Sequence, residues 1–496
     1  MTQQTAQPIE DQTDDQNPQN PWVSFSAIGI VLITMVASMT MTGVALSEIA
    51  EHFDVTLRSV AWVIIVQGLT ITALMMPMGR LGDIVGRKKI HMVGLVIFAT
   101  GTVFTALAPG FGVLIGARVV SAIGNSMLQA VGTGMLVSVF PANERGKALG
   151  TQTTMVAIGM ATGPIAAGLI LQFFSWQTIF WVLLIPIGIA FVFGVVVLKE
   201  SNVSRGMAAV RPKFDYVGAT VSAIVVVLAV LLINNPLGMS VMSPVMIGGA
   251  ISALLLFGYF IWWELNTDSP MLELRLFRNR LLSVASTARL LGFLGSSGAF
   301  LLMPIYLISL RGFEGAVAGG VLFLSPVGVA ISAQITGRYG DKYGTTPFMI
   351  VGFALTAAVA GAFMFLDVDT PIWIVMTMLF FNGASLGMWN VSSNTIVMGS
   401  VPSATMGVVG ALTNLTRNVG SVIGQAVVTA LVVGVMVSRG FDVPLSDVAD
   451  SAGATSAFIS GWRIAFLLVV VFSLVAMVLG IATRPRKANV DEKGAQ

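Results

Sequence analysis

Two glycine-rich stretches with the same spacing decide the fold of this sequence. Residues 79–89 read GRLGDIVGRKK, and residues 337–344 read GRYGDKYG. Glycine, arginine, glycine, aspartate and glycine recur in register at an offset of 258 residues. An internal repeat over this distance predicts a chain built from two related halves.

The residue types in these stretches suit a contact that can form and break. Glycine permits a tight turn and a close approach between helices, and aspartate can accept hydrogen bonds from a helix N-terminus or pair with arginine. We therefore predict a cytoplasmic latch formed by Gly79, Arg80, Gly82, Asp83, Gly86 and Arg87 in the first copy and by Gly337, Asp341 and Gly344 in the second. Thr345 stands where the first copy has Arg87, so the second copy lacks that arginine.

The composition around both stretches is that of an integral membrane protein. Of 496 residues, 55% are hydrophobic and 10% are charged, and the mean hydropathy is +0.88. A soluble domain carries roughly 25% charged residues. The absence of cysteine excludes disulfides, thiolate metal sites and cysteine nucleophiles, and His52 and His91 alone leave little for a zinc site. A scattered net charge of +3 does not predict nucleic-acid binding, and no metal or other cofactor is expected.

Fourteen apolar runs are long enough, at about 20 residues, to span a bilayer. They centre near residues 35, 69, 99, 125, 160, 188, 226, 252, 296, 325, 356, 384, 421 and 472. Eight runs separate the two related stretches, so the simplest parse is six helices, two inserted helices and six more. The predicted parts are a disordered tail at 1–21, a six-helix bundle at 22–200, a linker with two helices at 201–270, a second bundle at 271–485 and a tail at 486–496.

The basic residues predict which membrane face is cytoplasmic. If the first tail is inside, the cytoplasmic segments contain 19 of the 26 lysines and arginines, whereas Arg58, Arg311, Arg439 and Arg463 lie outside. This asymmetry follows the positive-inside rule, so we expect both termini on the cytoplasmic side of a cell membrane. Residues 1–20 carry four acidic residues and no basic one, a pattern typical of disorder and not of a cleavable signal peptide.

The first stretch resembles the signature loop between helices two and three of the major facilitator superfamily. A second pattern, Gly150, Gly159, Gly163, Pro164 and Gly168, resembles the antiporter motif of drug exporters. Small residues four apart let helices approach closely and proline bends a helix, which suits a gate. Gly420 and Gly424 in span thirteen repeat the four-residue spacing, as expected for a pseudosymmetric partner helix.

The resemblance extends over nearly the whole chain. The fourteen spans, the sequence Glu-Arg-Gly at 144–146 and the segment 270–280 resemble the fourteen-span drug:proton antiporter branch of that superfamily, the multidrug efflux transporters. This resemblance implies an all-α membrane fold with two six-helix bundles around a central cavity, and a central insertion that is peripheral to the transport path.

Ionisable residues within a span are costly and by default face a cavity. Arg118 in span four resembles the superfamily's arginine implicated in proton coupling, and Arg417 in span thirteen resembles a position common in the branch. Arg289 lies about a third of the way into its span, so we expect it to snorkel to the cytoplasmic interface. The other coupling or substrate candidates are Gln67, Asn125, Gln129, Asn390, Asn394 and Asn414.

Span one departs from the pattern of the branch. Ser38, Gly43 and Ser47 replace the usual Asp, Asn and Pro, and no acidic residue stands safely in the middle of a span. Two interpretations follow. Either Glu48 carries the proton at the outer mouth of the cavity, within reach of Arg118, or the protein is not an ordinary cation/proton exchanger. Unpaired membrane arginines favour an anionic or neutral amphipathic substrate.

These features predict a secondary active transporter that exports amphipathic small molecules or drugs by alternating access, coupled to proton antiport. The sequence has no nucleotide-binding loop of the Walker type, so we expect an ion gradient to supply the energy. The alternatives are an exporter of an organic anion, lipid or siderophore with different coupling, and a receptor or scaffold that has lost transport. No set of catalytic groups stands out at membrane depth, so we expect no enzymatic activity.

Overall fold

A computed structural model describes residues 21–199, 213–235, 239, 243–402, 405–441, 448 and 452–483. Those residues contain fourteen helices that are long and apolar enough to cross a membrane. In chain order, α1 to α14 are Pro21–Val44, Trp62–Val85, Arg87–Ala106, Phe111–Val139, Ala142–Phe173, Gln177–Val197, Tyr216–Ile233, Pro244–Asn266, Arg280–Leu310, Val317–Tyr343, Thr346–Phe363, Ile372–Gly399, Met406–Ser438 and Gly453–Ala482.

The prediction of an all-α polytopic fold with fourteen spans is confirmed, and each predicted centre lies inside its helix. We refer to α1–α6 as the first half, to α7–α8 as the insert and to α9–α14 as the second half. The predicted tails, apart from Pro21, and the linker at 201–212 lie outside the described residues. The division of the chain into bundles at 22–200 and 271–485 around a segment at 201–270 stays a prediction.

Glycines allow neighbouring helices to touch at their backbones. A Cβ on Gly163 of α5 would overlap the Thr40 hydroxyl of α1, and one on Gly424 of α13 would overlap the Ser297 hydroxyl of α9. In membranes, such small-residue contacts replace the hydrophobic driving force between helices. The α5–α1 and α13–α9 contacts use corresponding helices of the two halves, as the repeated glycine spacing predicts.

In the described part of the chain, the halves share buried apolar clusters from one membrane face towards the middle of the membrane. We call the face at which the stretches 79–89 and 337–344 lie the motif face. There, Leu136 and Leu149 of the first half belong to the same buried cluster as Val397 and Val409 of the second. Towards the opposite face, two clusters are separate, because one contains residues 37–183 and the other contains residues 299–469. The halves therefore meet at the motif face and have independent cores at the other.

Candidate functional site

The first predicted latch joins the two halves at the motif face, and we call it latch 1. Asp83, near the end of α2, forms an ion pair of 2.9 Å with Arg87 at the start of α3. Its second carboxylate oxygen accepts a hydrogen bond of 2.9 Å from the backbone amide of Val408, in the first turn of α13. Arg87 also donates to the Ser138 hydroxyl at 2.6 Å and to the Gly134 carbonyl at 3.3 Å. Latch 1 thus connects α2, α3 and α4 to the second half.

The second stretch makes the reciprocal contact, which we call latch 2. Asp341, near the end of α10, accepts hydrogen bonds of 2.8 Å from the backbone amides of Gly146 and Lys147. These residues lie in the first α-helical turn of α5, which begins at Arg145 after a short 3-10 turn at Ala142–Glu144. A helix N-terminus has free amides and a partial positive charge, which favour a carboxylate there. Each half therefore places an aspartate on the first helical turn of a helix in the other half.

Glycine is required where each aspartate approaches its helix. A Cβ on Gly407 would overlap the carboxylate of Asp83, and a Cβ on Gly146 would overlap that of Asp341. Gly86 and Gly344, which end the helices bearing the aspartates, have φ angles of 118° and 88°. Side chains other than glycine rarely adopt such angles. The repeated glycines therefore serve the turn and the close contact that the sequence predicts.

A polar layer lies deeper in the membrane between the halves. Gln129 of α4 receives a hydrogen bond of 3.1 Å from Arg417 of α13 on its side chain and one of 3.2 Å from Asn414 on its backbone carbonyl. The Gln129 amide in turn donates to Asn125 at 2.8 Å. The structure thus brings four of the predicted polar residues into one chain of hydrogen bonds that crosses the interface.

Arg118 is enclosed within the first half, about 10 Å along α4 from its start at the opposite face. Its side chain is 0% exposed and donates to the side chains of Gln67 and Thr42. The guanidinium is 5.5 Å from the centroid of the Phe180 ring. Its Nε and Nη1 atoms are buried without a hydrogen-bond partner in the described structure. Buried cationic donors without a partner suit an acceptor group on a ligand.

The prediction that Arg289 snorkels to the interface is wrong. Arg289 is 3% exposed, and it donates to the Asn390 side chain at 2.7 Å and to the Ser393 hydroxyl at 3.2 Å. Its guanidinium also lies 5.1 Å from the centroid of the Phe293 ring. These partners lie within the bundle, so the arginine satisfies its donors there and has no need to reach the lipid headgroups.

Two other predicted residues lie apart from these networks. Asn394 is buried on α12, and its Oδ1 atom has no hydrogen-bond partner in the described structure. Glu48 belongs to a short helix, Leu46–His52, that follows α1. Burial, and to a lesser extent the neighbouring Glu51, raise the pKa of the Glu48 carboxyl above its usual value. Arg118 donates to Thr42 and Gln67, so the role of Glu48 as a proton carrier within reach of Arg118 stays a prediction.

The glycines of the second pattern have different neighbours. Gly150 packs on the backbone of Ala333 in the second half, whereas Gly159 and Gly163 pack on α1. A Cβ on Gly168 would meet nothing within 4 Å. Pro164 lies inside the helix, where it removes one backbone hydrogen bond. Gly150 therefore belongs to the interface between the halves, and the next two glycines belong to the packing of one half.

Sequence reasoning missed two sets of polar residues. Gln334 of α10 donates to the hydroxyl groups of Thr154 at 3.1 Å and Thr151 at 3.3 Å in α5, which adds a further polar contact between the halves. Asp215 and Glu264 are both buried at the motif-face ends of the insert helices. A signal for the first set was present, because Thr151 and Thr154 follow Gly150 on the same helix. The second set carried no signal, because each acid lies at the end of an apolar run.

The sequence pattern of the Major Facilitator Superfamily matches residues 27–425. The chain belongs to this superfamily. The predicted family is therefore confirmed, and as a member the protein is a multi-pass membrane transporter of small molecules and not an enzyme.

Similar superfamily members include both vitamin and drug transporters. The chain is 29% identical to the riboflavin transporter RibZ of Clostridioides difficile, over 80% of this chain and 85% of that protein. It is 25% identical to the tetracenomycin C resistance and export protein of Streptomyces glaucescens, over 96% and 94% of the two chains. It is 26% identical to the multidrug resistance protein Stp of Mycobacterium tuberculosis, over 81% and 74%.

Solved structures support the same fold. The human organic anion transporter MFSD10 superposes with a TM-score of 0.61 at 15% identity, over 92% of this chain and 100% of that one. The proton:xylose symporter XylE superposes with a TM-score of 0.59 at 14% identity, over 92% and 96%. At such identities the likeness concerns the arrangement of helices alone.

Proposed function

We propose that this major facilitator exports amphipathic small molecules by alternating access, coupled to proton antiport. One observation carries the proposal: the halves are joined by reciprocal latches at the motif face and have separate cores at the opposite face. A transporter that rocks its halves around a central site needs a closed face whose contacts can break. The names of the tetracenomycin C exporter and of Stp support drug-like substrates.

We place the motif face in the cytoplasm. The segments on that side contain most of the lysines and arginines, which supports this orientation. In this orientation the latches lie on the cytoplasmic side, and the buried apolar clusters of the two halves are separate on the outer side. That state is the one from which an exporter releases substrate and takes up a proton.

Purified protein in sealed liposomes tests this function. A pH-sensitive dye inside the vesicles reports proton flux when cationic, neutral and anionic amphipaths are added in turn. We expect substrate-dependent proton movement opposite to the substrate. Movement of substrate without proton flux would contradict antiport, and movement of no compound would favour the receptor or scaffold alternative.

Glu48 is our candidate for the proton carrier. Its raised pKa brings protonation closer to neutral pH than for an ordinary glutamate, as a carrier needs. Glu48→Gln should abolish substrate-dependent proton flux and leave substrate binding largely unchanged, whereas the neighbouring Glu51→Gln should behave as wild type. Equal proton flux in wild type and Glu48→Gln would assign the coupling to another group.

An organic anion is a second candidate substrate, and the three intramembrane arginines favour it. Arg118, Arg289 and Arg417 are buried or half-buried and form no ion pair with a carboxylate in the described part of the chain. An anionic substrate would supply the missing counter-charge. Arg118→Gln and Arg417→Gln should slow transport of anionic amphipaths more than that of neutral ones, while the exposed Arg439→Gln should not. A uniform effect on both substrate types would contradict this candidate.

A further inference from the structure

The two insert helices end in a buried pair of carboxyl groups at the motif face. Asp215 precedes α7 and Glu264 lies in the last turn of α8, and these residues are 8% and 3% exposed. Both carboxyl groups border Gly218, because a Cβ on that glycine would meet an oxygen of Asp215 and, at 2.6 Å, an oxygen of Glu264. The two carboxyl groups are therefore close neighbours in a region from which water is largely excluded.

The two groups differ in how well they are hydrogen-bonded. Asp215 accepts from the backbone amide of Gly218 at 2.8 Å and from the Trp263 indole at 3.1 and 3.0 Å on its two oxygens. Glu264 accepts from the backbone amide of Leu272 at 3.0 Å through Oε2, while its buried Oε1 has no partner in the described structure. Both oxygens of Asp215 thus accept hydrogen bonds, whereas one oxygen of Glu264 accepts none.

The charges facing Glu264 cannot neutralise it directly. The facing groups are Asp215 from the start of α7 and Arg80 from α2, and neither carboxyl group forms an ion pair in the part of the chain described. The connection at 271–272 contributes a backbone amide and apolar side chains, and Val408 in the first turn of α13 contributes an apolar side chain to the same cluster. Two adjacent buried carboxylates without a close cation repel each other, and a proton on one of them removes that repulsion.

The pair also lies next to latch 1. Met271 and Leu272, which follow α8, pack in one cluster with Met76 of α2 and Val408 of α13. Val408 is the residue whose backbone amide donates to Asp83. The segment 271–272 therefore has two contacts. Its backbone donates a hydrogen bond to Glu264, and its side chains pack beside Val408, the residue of the second half that takes part in latch 1.

We infer that Asp215 and Glu264 form a proton-binding site, with the proton on Glu264, that couples the insert to opening of the motif face. Loss of the proton places two negative charges side by side and separates the end of α8 from the start of α7. The connection at 271–272 then moves from Val408, and latch 1 loses its cover. Opening of the motif face should therefore increase as pH rises. This inference rests on the gate in the proposed function.

Two spin labels measure this opening directly, because the chain contains no cysteine and needs no background substitutions. Lys89→Cys at the start of α3 and Gly399→Cys at the end of α12 are exposed positions on opposite halves of the motif face. We call these two substitutions the label pair. A Cβ on Gly399 meets nothing within 4 Å. The distance distribution of the label pair, from protein in lipid nanodiscs, gives the open fraction without any substrate.

We expect the ratio of open to closed protein to rise between about pH 5.5 and about pH 8.5, by up to about tenfold per pH unit for a single proton. Glu264→Gln, which keeps the shape of the protonated acid, should stay mostly closed at every pH. The nearby exposed Glu273→Gln is the matched control and should respond as wild type does. A wild-type distance that ignores pH, or a Glu264→Gln variant that keeps the wild-type response, overturns the inference.

A second readout covers the case in which a variant folds poorly. Wild-type protein at low pH should show the infrared carbonyl band of a protonated buried carboxyl, and this band should be absent from Glu264→Gln. Absence of the band from wild type also overturns the inference. Asp83→Asn, added to the protein that carries the label pair, separates failure of this inference from failure of the proposed function. If the motif face is a gate, breaking latch 1 should open it at any pH, even where the proton site at Glu264 does not exist.

Discussion

Latch 1 and latch 2 use the same sequence pattern in two different ways. Asp83 is buried and divides its oxygens between Arg87, which also donates to α4, and one backbone amide of α13. Asp341 is half-buried and accepts two consecutive backbone amides of α5. Asp83 therefore acts within a buried ion pair, whereas the half-buried Asp341 binds the amides of a helix N-terminus.

This difference predicts that the two latches contribute unequally to the free energy of the closed motif face. Removing one partner of a buried ion pair costs about 3–5 kcal/mol, because the other charge remains buried without compensation. Losing a carboxylate at an accessible helix N-terminus costs about 1 kcal/mol. Latch 1 should therefore dominate the stability of the closed motif face, and latch 2 should adjust it.

Asp83→Asn is the largest expected perturbation. It leaves the Arg87 guanidinium buried beside a neutral amide, so the closed state should lose about 3–5 kcal/mol and the open fraction should rise steeply. The label pair at Lys89 and Gly399 measures the change. The exposed Asp369→Asn, on the far side of the membrane, is the control. An open fraction equal to that of wild type would show that latch 1 does not close this face.

The glycines beneath the aspartates come next. Gly407→Ala and Gly146→Ala each place a methyl group against a latch carboxylate, and overpacking of this kind costs about 1–3 kcal/mol. Both should raise the open fraction, and Gly407→Ala should do so more because Asp83 has less freedom to move. Gly434→Ala on α13 and Gly168→Ala on α5 are matched controls, since a Cβ there meets nothing within 4 Å. Equal effects of all four substitutions would contradict the steric argument.

The fold could be predicted from the sequence because each span is a long apolar run and the repeat fixes the order of the halves. Latch chemistry could also be predicted, since Asp83 and Asp341 stand at helix ends within a repeated pattern. The helices that receive them could not, because Val408 and Gly146 are remote in sequence and bind through backbone amides that every residue has.

Arg289 likewise shows that contacts between residues remote in sequence could not be predicted. Its position in the sequence placed Arg289 near the membrane interface. Whether its guanidinium binds lipid headgroups or side chains inside the bundle depends on acceptors such as Asn390 on a neighbouring helix, which the sequence does not reveal. The pair Asp215 and Glu264 escaped notice for a related reason. Each acid ends an apolar run that reads as an ordinary span boundary, and their proximity arises only when α7 and α8 pack together.

Asp341→Asn should have a smaller effect than either glycine substitution. An asparagine oxygen can still accept one of the amides of Gly146 and Lys147, so the lost charge should cost about 1 kcal/mol. The open fraction of the label pair should rise modestly and more so at low salt, where the charge is less screened. A rise as large as that of Asp83→Asn would show that burial does not distinguish the two latches.

Thr345→Arg asks whether latch 2 can be given the ion pair of latch 1. Thr345 follows Gly344 and stands four residues after Asp341, as Arg87 stands four after Asp83. Its backbone is helical, with φ of −85° and ψ of −25°, so an arginine fits the conformation. Because the site is half-buried and partly screened by water, the new pair should stabilise the closed state by no more than about 1 kcal/mol.

The double variant Thr345→Arg with Asp341→Asn tests whether that gain comes from the pair, since the gain should vanish without the carboxylate. Thr345→Gln, which adds length without charge, should leave the open fraction unchanged. If Thr345→Arg instead closed the motif face as strongly as Asp83→Asn opens it, the arginine alone would account for the difference between the latches. A small stabilisation of the closed state would mean that latch 1 is the stronger contact because Asp83 and Arg87 are buried among α2, α3 and α4. The same repeated residues would then differ in effect because their surroundings differ.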